Sequence, residues 1–174
     1  MPDQWPRYEV FKQARAGEPH RNVGSVHAPD AEIALLNARD VFARRPSCLS
    51  LWVVPAGDIL MWNVVEPPPQ ATPGAVRTWA VCAKRSQRQG MTFVDFVGMV
   101  EATSSAGALH LAPGAFDMPD ALIWWVFPES SIVRSEPEDV PGYAAATGKL
   151  FRLPNQYHTV FTMQKIRRGD EGDE

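Results

Sequence analysis

The chain has 174 residues and a mass of 19.3 kDa, with 45% hydrophobic and 21% charged residues, which is the composition of one or two small globular domains. Its net charge is −3, from 17 basic and 20 acidic residues, so no basic excess exists to neutralise a nucleic-acid backbone. The longest apolar runs, such as Ala121–Phe127, fall far short of the roughly 20 residues of a membrane helix. The start, Met1-Pro2-Asp3-Gln4-Trp5, carries neither the charged nor the apolar region of a secretory signal. Two cysteines, Cys48 and Cys82, cannot build a disulfide framework or a four-thiolate zinc site. A reduced, cytoplasmic protein without nucleic-acid or membrane partners is expected.

Two stretches read alike. Tyr8-Glu9-Val10-Phe11, Val23-Gly24-Ser25-Val26 and Trp52-Val53-Val54-Pro55 return, in order, as Trp79-Ala80-Val81-Cys82, Val97-Gly98-Met99-Val100 and Trp125-Val126-Phe127-Pro128. The offsets are 71, 74 and 73 residues, and the blocks close at Ile59 and Ile132. Near-constant offsets are the mark of an internal repeat. In the first copy, Tyr8–Gln13 is rich in β-formers and alternates, Ala16-Gly17-Glu18-Pro19 is turn chemistry, and Asn22–His27 is a second strand. Pro29, Asp30 and Glu32 then open a helix whose apolar face is Ala31, Ala34, Leu35, Ala38 and Phe42. Arg44 and Arg45 suit its C-terminal end, and Pro46 stops it. The apolar run Leu49–Val54 is a buried strand.

The second copy supplies strands at Thr78–Lys84, Thr92–Glu101 and Ala121–Phe127. Between the last two, Gly107, Pro113, Gly114 and Pro119 leave at most a brief helix around Ala106–Leu111. The expected fold is therefore α+β: two tandem strand-strand-helix-strand units with a mainly antiparallel sheet, a degenerate second helix and an irregular C-terminal tail. The first unit would occupy 1–65, a stiff proline-rich linker 66–76, the second unit 77–133 and the tail 134–174. Within the tail, a strand is expected over Tyr157–Ile166 and disorder from Gly169 onward. The two units are expected to pair as an intramolecular pseudo-dimer, a homodimer made covalent.

Chemistry-bearing patterns are sparse. A carboxylate-bridged di-iron bundle needs Glu-x-x-His on facing helices, and no such pair occurs. His20 and His27 flank the second strand, where hydrogen bonding at strand ends outweighs metal binding; His110 and His158 stand apart. Gly142–Lys149 imitates a phosphate loop, but its glycines are one residue too far apart and Leu150 replaces the magnesium-binding hydroxyl. Cys48, with no orienting histidine nearby, reads as a packed thiol. No catalytic, cofactor-binding or metal residues are assigned. Trp52, Trp124 and Trp125 lie on the third strands of the two copies, and adjacent Trp124 and Trp125 must face opposite sides of a sheet. One of them can enter the core while the other meets a second layer or a partner. Arg39, Arg44 and Arg45 cluster near the helix end and are either a solvated helix terminus or a docking patch.

The string Trp5-Pro6-Arg7-Tyr8-Glu9-Val10-Phe11, the segment His20–Ala28, the helix Asp30–Asp40 with Arg44-Arg45, and Ser50-Leu51-Trp52-Val53-Val54 resemble the PaaB family, a component of the multicomponent phenylacetyl-CoA epoxygenase. Ser135-Glu136-Pro137-Glu138 and Lys149–Pro154, with Phe151 and Arg152, look like that family's tail, displaced behind a second copy. The resemblance implies a non-catalytic accessory or bridging subunit in phenylacetate degradation. Its implied partners are a di-iron catalytic subunit and a helical structural subunit, and it needs no cofactor of its own. The partner-interface candidates are then Arg39, Arg44, Arg45, Trp52, Trp124, Trp125, Phe151 and Arg152. The alternatives are a stand-alone small α+β protein that binds an apolar small molecule, a cofactor-free oxygenase, or an interaction module with an unrelated partner.

Overall fold

The computed structural model describes residues 4–43, 48–87 and 94–143. Arg44, Arg45, Phe151, Arg152, most of the Gly142–Lys149 loop and the expected strand over Tyr157–Ile166 lie outside those residues. The fold is α+β, with a mainly antiparallel sheet. In chain order it comprises β1 (Arg7–Gln13), β2 (Arg21–His27), α1 (Ala31–Phe42), β3 (Ser50–Pro55), β4 (Leu60–Asn63), β5 (Arg77–Lys84), β6 (Asp95–Ala102), α2 (Ser105–Ala115), β7 (Ile123–Pro128) and β8 (Val133–Arg134). Short 3-10 turns lead into β4 and β8, and a longer one spans Pro137–Tyr143.

Helix α1 starts where the sequence supplies a cap. Asp30 is extended, and its carboxylate accepts a hydrogen bond from the Ile33 N–H at 2.8 Å, satisfying one of the first-turn donors. Its inward face is the expected one: Ala34 and Ala38 are fully buried, with Ala31, Leu35 and Phe42 packed beside them. Helix α2 corrects the expectation of a degenerate helix. It runs eleven residues, with the Ser104 hydroxyl accepting from the Gly107 N–H at 3.1 Å. Pro113 is tolerated because it falls in the last turn, where only the bond to the Leu109 carbonyl is lost. Ala106, Ala108, Leu109 and Ala112 are buried, so packing rather than propensity holds this helix.

The eight strands form one sheet in the order β4-β7-β5-β6-β2-β1-β3-β8. Exchanging β1 for β5, β2 for β6, β3 for β7 and β4 for β8 returns the same order reversed, so the sheet has a pseudo-twofold between β2 and β6. There Arg21 sits opposite Asp95, joined by a 2.7 Å ion pair, while Asn22 N–H donates to the Val94 carbonyl and Phe96 N–H to the His20 carbonyl. The symmetry extends to detail. Register breaks fall between Val10 and Phe11 in β1 and between Val81 and Cys82 in β5. Gly24 lies against the Phe42 ring and Gly98 against the Phe116 ring, so closely that a Cβ would stand 3.0 Å and 2.5 Å from ring carbons. Both glycines permit the helix end to close on the sheet; Gly24 also has φ of +139°, a conformation open mainly to glycine.

The fourth strands are exchanged between the halves. β4 leaves the first half and pairs with β7, Leu60 opposite Val126 through Asn63 opposite Ile123. β8 returns from the second half and pairs with β3 through Trp52–Arg134 and Val53–Val133. Each half is thus completed by a strand from the other.

Three apolar clusters follow from strand alternation. Tyr8, Val10, Leu51 and Val53 face α1, and Trp79, Val81, Trp124 and Val126 face α2. Phe11, Trp52 and Val54 point the other way and meet Ala80, Cys82 and Phe127 in a shared cluster. Phe11 and Phe127 lie 5.4 Å apart, centroid to centroid. Four strand spacings separate β1 from β7, which in a flat sheet is about 19 Å. The sheet is therefore curled on itself, its inner faces touching and a helix outside each half.

Candidate functional site

The seam between the halves is where polar and aromatic groups gather. His20, the residue before β2, is 9% exposed and stacks on Trp52 of β3 with ring centroids 3.6 Å apart. Its Nε2 is 3.1 Å from the Ser50 hydroxyl. Phe96 meets Trp52 edge-on at 5.2 Å, and the Arg134 guanidinium from exchanged β8 lies 5.4 Å from the Trp52 ring centre. Burial, reinforced by the Arg134 charge, lowers the His20 pKa to about 4, so the imidazole is neutral at pH 7. The strand-end hydrogen bond expected of His20 is present, with Ser50 as partner. Among the described residues no three of His, Cys, Asp and Glu come close enough to hold a metal ion. Cys48 is half-buried, and desolvation raises its pKa, which disfavours the thiolate a nucleophile needs.

Trp124 is 1% exposed beneath α2, and Trp125 faces the shared cluster, edge-on to Phe11 at 6.4 Å. Alternation places the two on opposite faces, and the second layer that meets Trp125 comes from this chain itself. Trp52, 8% exposed, is likewise enclosed. Both Trp52 and Trp124 are thus packed within this chain. Arg39 is different: it lies exposed near the end of α1, 3.4 Å from the Asp40 carboxylate. Beside it the outward side of α1 carries Ile33, Leu36 and Val41, which are 38%, 47% and 60% exposed. The sequence pattern marks only the inward face of the helix, so these exposed apolar residues do not stand out in it.

At the other end of the seam a cleft of about 380 Å³ opens, lined by Asn22, Met61, Asn63, Glu66, Lys84, Val94, Ile123 and Trp125. The Trp62 indole donates to the Glu66 carbonyl at 2.9 Å, which folds the chain after β4 back along this rim.

The segment that supplies α1, Trp52 and the first half of the seam carries a family's sequence. Residues 4–73 match the family model for PaaB, phenylacetic acid degradation B. Over 56 residues the chain is 52% identical to the B component of 1,2-phenylacetyl-CoA epoxidase from Escherichia coli (strain K12), an alignment covering 32% of this chain and 59% of that relative. The chain thus spans about three-fifths of the relative's length. No solved structure matches the chain. The PaaB-family match ends before β5, so the likeness of the second half to the first rests on the repeat offsets and the pseudo-twofold sheet. No helix among the described residues is long and apolar enough to cross a membrane.

Proposed function

We propose that this chain is a non-catalytic accessory subunit of a multicomponent oxygenase of the phenylacetyl-CoA epoxidase type, acting in the cytoplasm in phenylacetate degradation. The observation that carries this reading is the 52% identity, over 56 residues, to the B component of such an epoxidase. In this reading the two halves are a duplicated unit, 1–65 and 77–133, joined by the linker at 66–76, and the partners are the di-iron catalytic subunit and the helical structural subunit. The chain contributes a surface rather than a reacting group. Trp52 and Trp124 are buried, whereas the outward side of α1 carries Ile33, Leu36 and Arg39 as an apolar and cationic patch. Such a mixture of aliphatic side chains with arginine suits a protein interface.

Co-expression with the catalytic and structural subunits, followed by size-exclusion chromatography, tests this. The full chain is expected to co-elute with both. Leu36→Asp, at an exposed helix position where it costs little stability, is expected to weaken the complex roughly tenfold or more. Elution of the unaltered chain alone, while the other two subunits pair, would refute the reading.

A further inference from the structure

The pseudo-twofold lets one end of the seam be compared with the other. His20, Ser50, Trp52, Phe96 and Arg134 have as counterparts Val94, Ile123, Trp125, Asn22 and Met61. All five counterparts line the 380 Å³ cleft. At the first end the Trp52 ring is covered by the stacked imidazole of His20 and the edge of Phe96. At the second end valine and asparagine replace those two rings, and no described residue stacks face to face on Trp125. The cleft is the space that the missing rings leave. The same tryptophan, at the same place in the fold, has an internal aromatic partner on one side and an opening on the other.

The polar rim narrows what fits. The Asn22 amide nitrogen already donates to the Glu9 carboxylate at 3.0 Å, which fixes its orientation and leaves Oδ1 as an acceptor. The Asn63 Oδ1 accepts from the Val65 N–H at 3.4 Å, which leaves its Nδ2 as a donor. One acceptor and one donor beside an indole match a flat ring whose edge carries a donor and an acceptor. The lining is half apolar, and the charged Lys84 and Glu66 complete the polar rim beside the two asparagines; apolar walls with a few polar groups are the usual form of a small-molecule site.

We infer that the cleft over Trp125 binds a planar aromatic or heteroaromatic ring bearing a carboxamide-like edge, stacked on Trp125 as His20 stacks on Trp52. The stack supplies affinity and the two asparagines supply orientation. This site is independent of partner binding through α1.

Benzamide is a suitable probe, read by the indole N–H resonances of the full chain in ¹H–¹⁵N spectra, with the Trp125 resonance assigned by its loss in Trp125→Phe. Benzamide is expected to shift the Trp125 resonance saturably at millimolar concentration, as ligands of this size bind, while the Trp52 resonance stays fixed. Cyclohexanecarboxamide, of similar size but not flat, should bind several-fold more weakly. The double variant Val94→His, Ile123→Ser rebuilds the first-end stack and should reduce benzamide binding roughly tenfold or more by filling the cleft. Asn63→Leu, on the edge strand, removes the rim donor without touching the core and should weaken binding several-fold. Absence of a saturable Trp125 shift, equal binding of the non-planar amide, or undiminished binding by Asn63→Leu would overturn the assignment.

Discussion

Phe11→Ala is expected to cost about 3–5 kcal/mol and to destabilise both halves at once. Phe11 is wholly buried, and its ring lies against Phe127 at 5.4 Å and Trp125 at 6.4 Å, both from the second half. Removing it opens a void in the shared cluster rather than under one helix. The exchange of β4 and β8 adds to this coupling, since neither half keeps its edge strand if the other unfolds. Urea titrations followed by tryptophan fluorescence and by far-ultraviolet circular dichroism should therefore give one coincident transition in the parent chain and in the variant, shifted to lower urea in the latter. Separate transitions, or a loss below about 1 kcal/mol, would mean that the halves are only tethered.

His20 should make the fold sensitive to mild acid. The folded chain takes up the His20 proton only near pH 4, because burial and the Arg134 charge oppose the imidazolium. The unfolded chain takes it up near the ordinary value of 6.5. The unfolded state thus binds more protons between these values, and stability rises with pH there. The contribution is complete above pH 6.5 and drains away as pH falls towards 4, a loss on the order of 2–3 kcal/mol. His20→Phe preserves the stack on Trp52 but has nothing to titrate. Urea midpoints from pH 7 to pH 4 should fall more steeply in the parent chain than in this variant. Parallel pH profiles would show that His20 is not held neutral by the fold.

Much of this architecture was legible from residue patterns. The face Ala34–Ala38 and the apolar run ending at Val54 both depend on local chemistry, and both appear where expected, whereas the helix opens two residues later than Pro29 suggested, with Asp30 as its cap. The opposite facing of Trp124 and Trp125 follows from strand geometry alone. The repeat offsets correspond to β1–β5, β2–β6 and β3–β7. What the pattern could not show is non-local. β4 has four residues and β8 two, too short to announce themselves, and their pairing partners lie in the opposite half. Helix α2 was underestimated because its glycines and proline lower propensity while its buried alanines and Leu109, which decide the matter, gain stability only against the sheet. The cleft was hidden for a related reason. It comes from the exchange of His20 and Phe96 for Val94 and Asn22 across the pseudo-twofold, and that correspondence is visible only once Arg21 is seen opposite Asp95.

The most direct test of the central claim is reconstitution. An epoxidase of the phenylacetyl-CoA type would be assembled from its other components without its PaaB component, and turnover of phenylacetyl-CoA measured with and without this chain. The account expects added chain to restore turnover, and Leu36→Asp to restore less at equal concentration. Turnover unchanged by the chain, with the epoxidase's own PaaB component restoring activity in parallel, would contradict the account and leave the PaaB-family segment as shared ancestry without shared role.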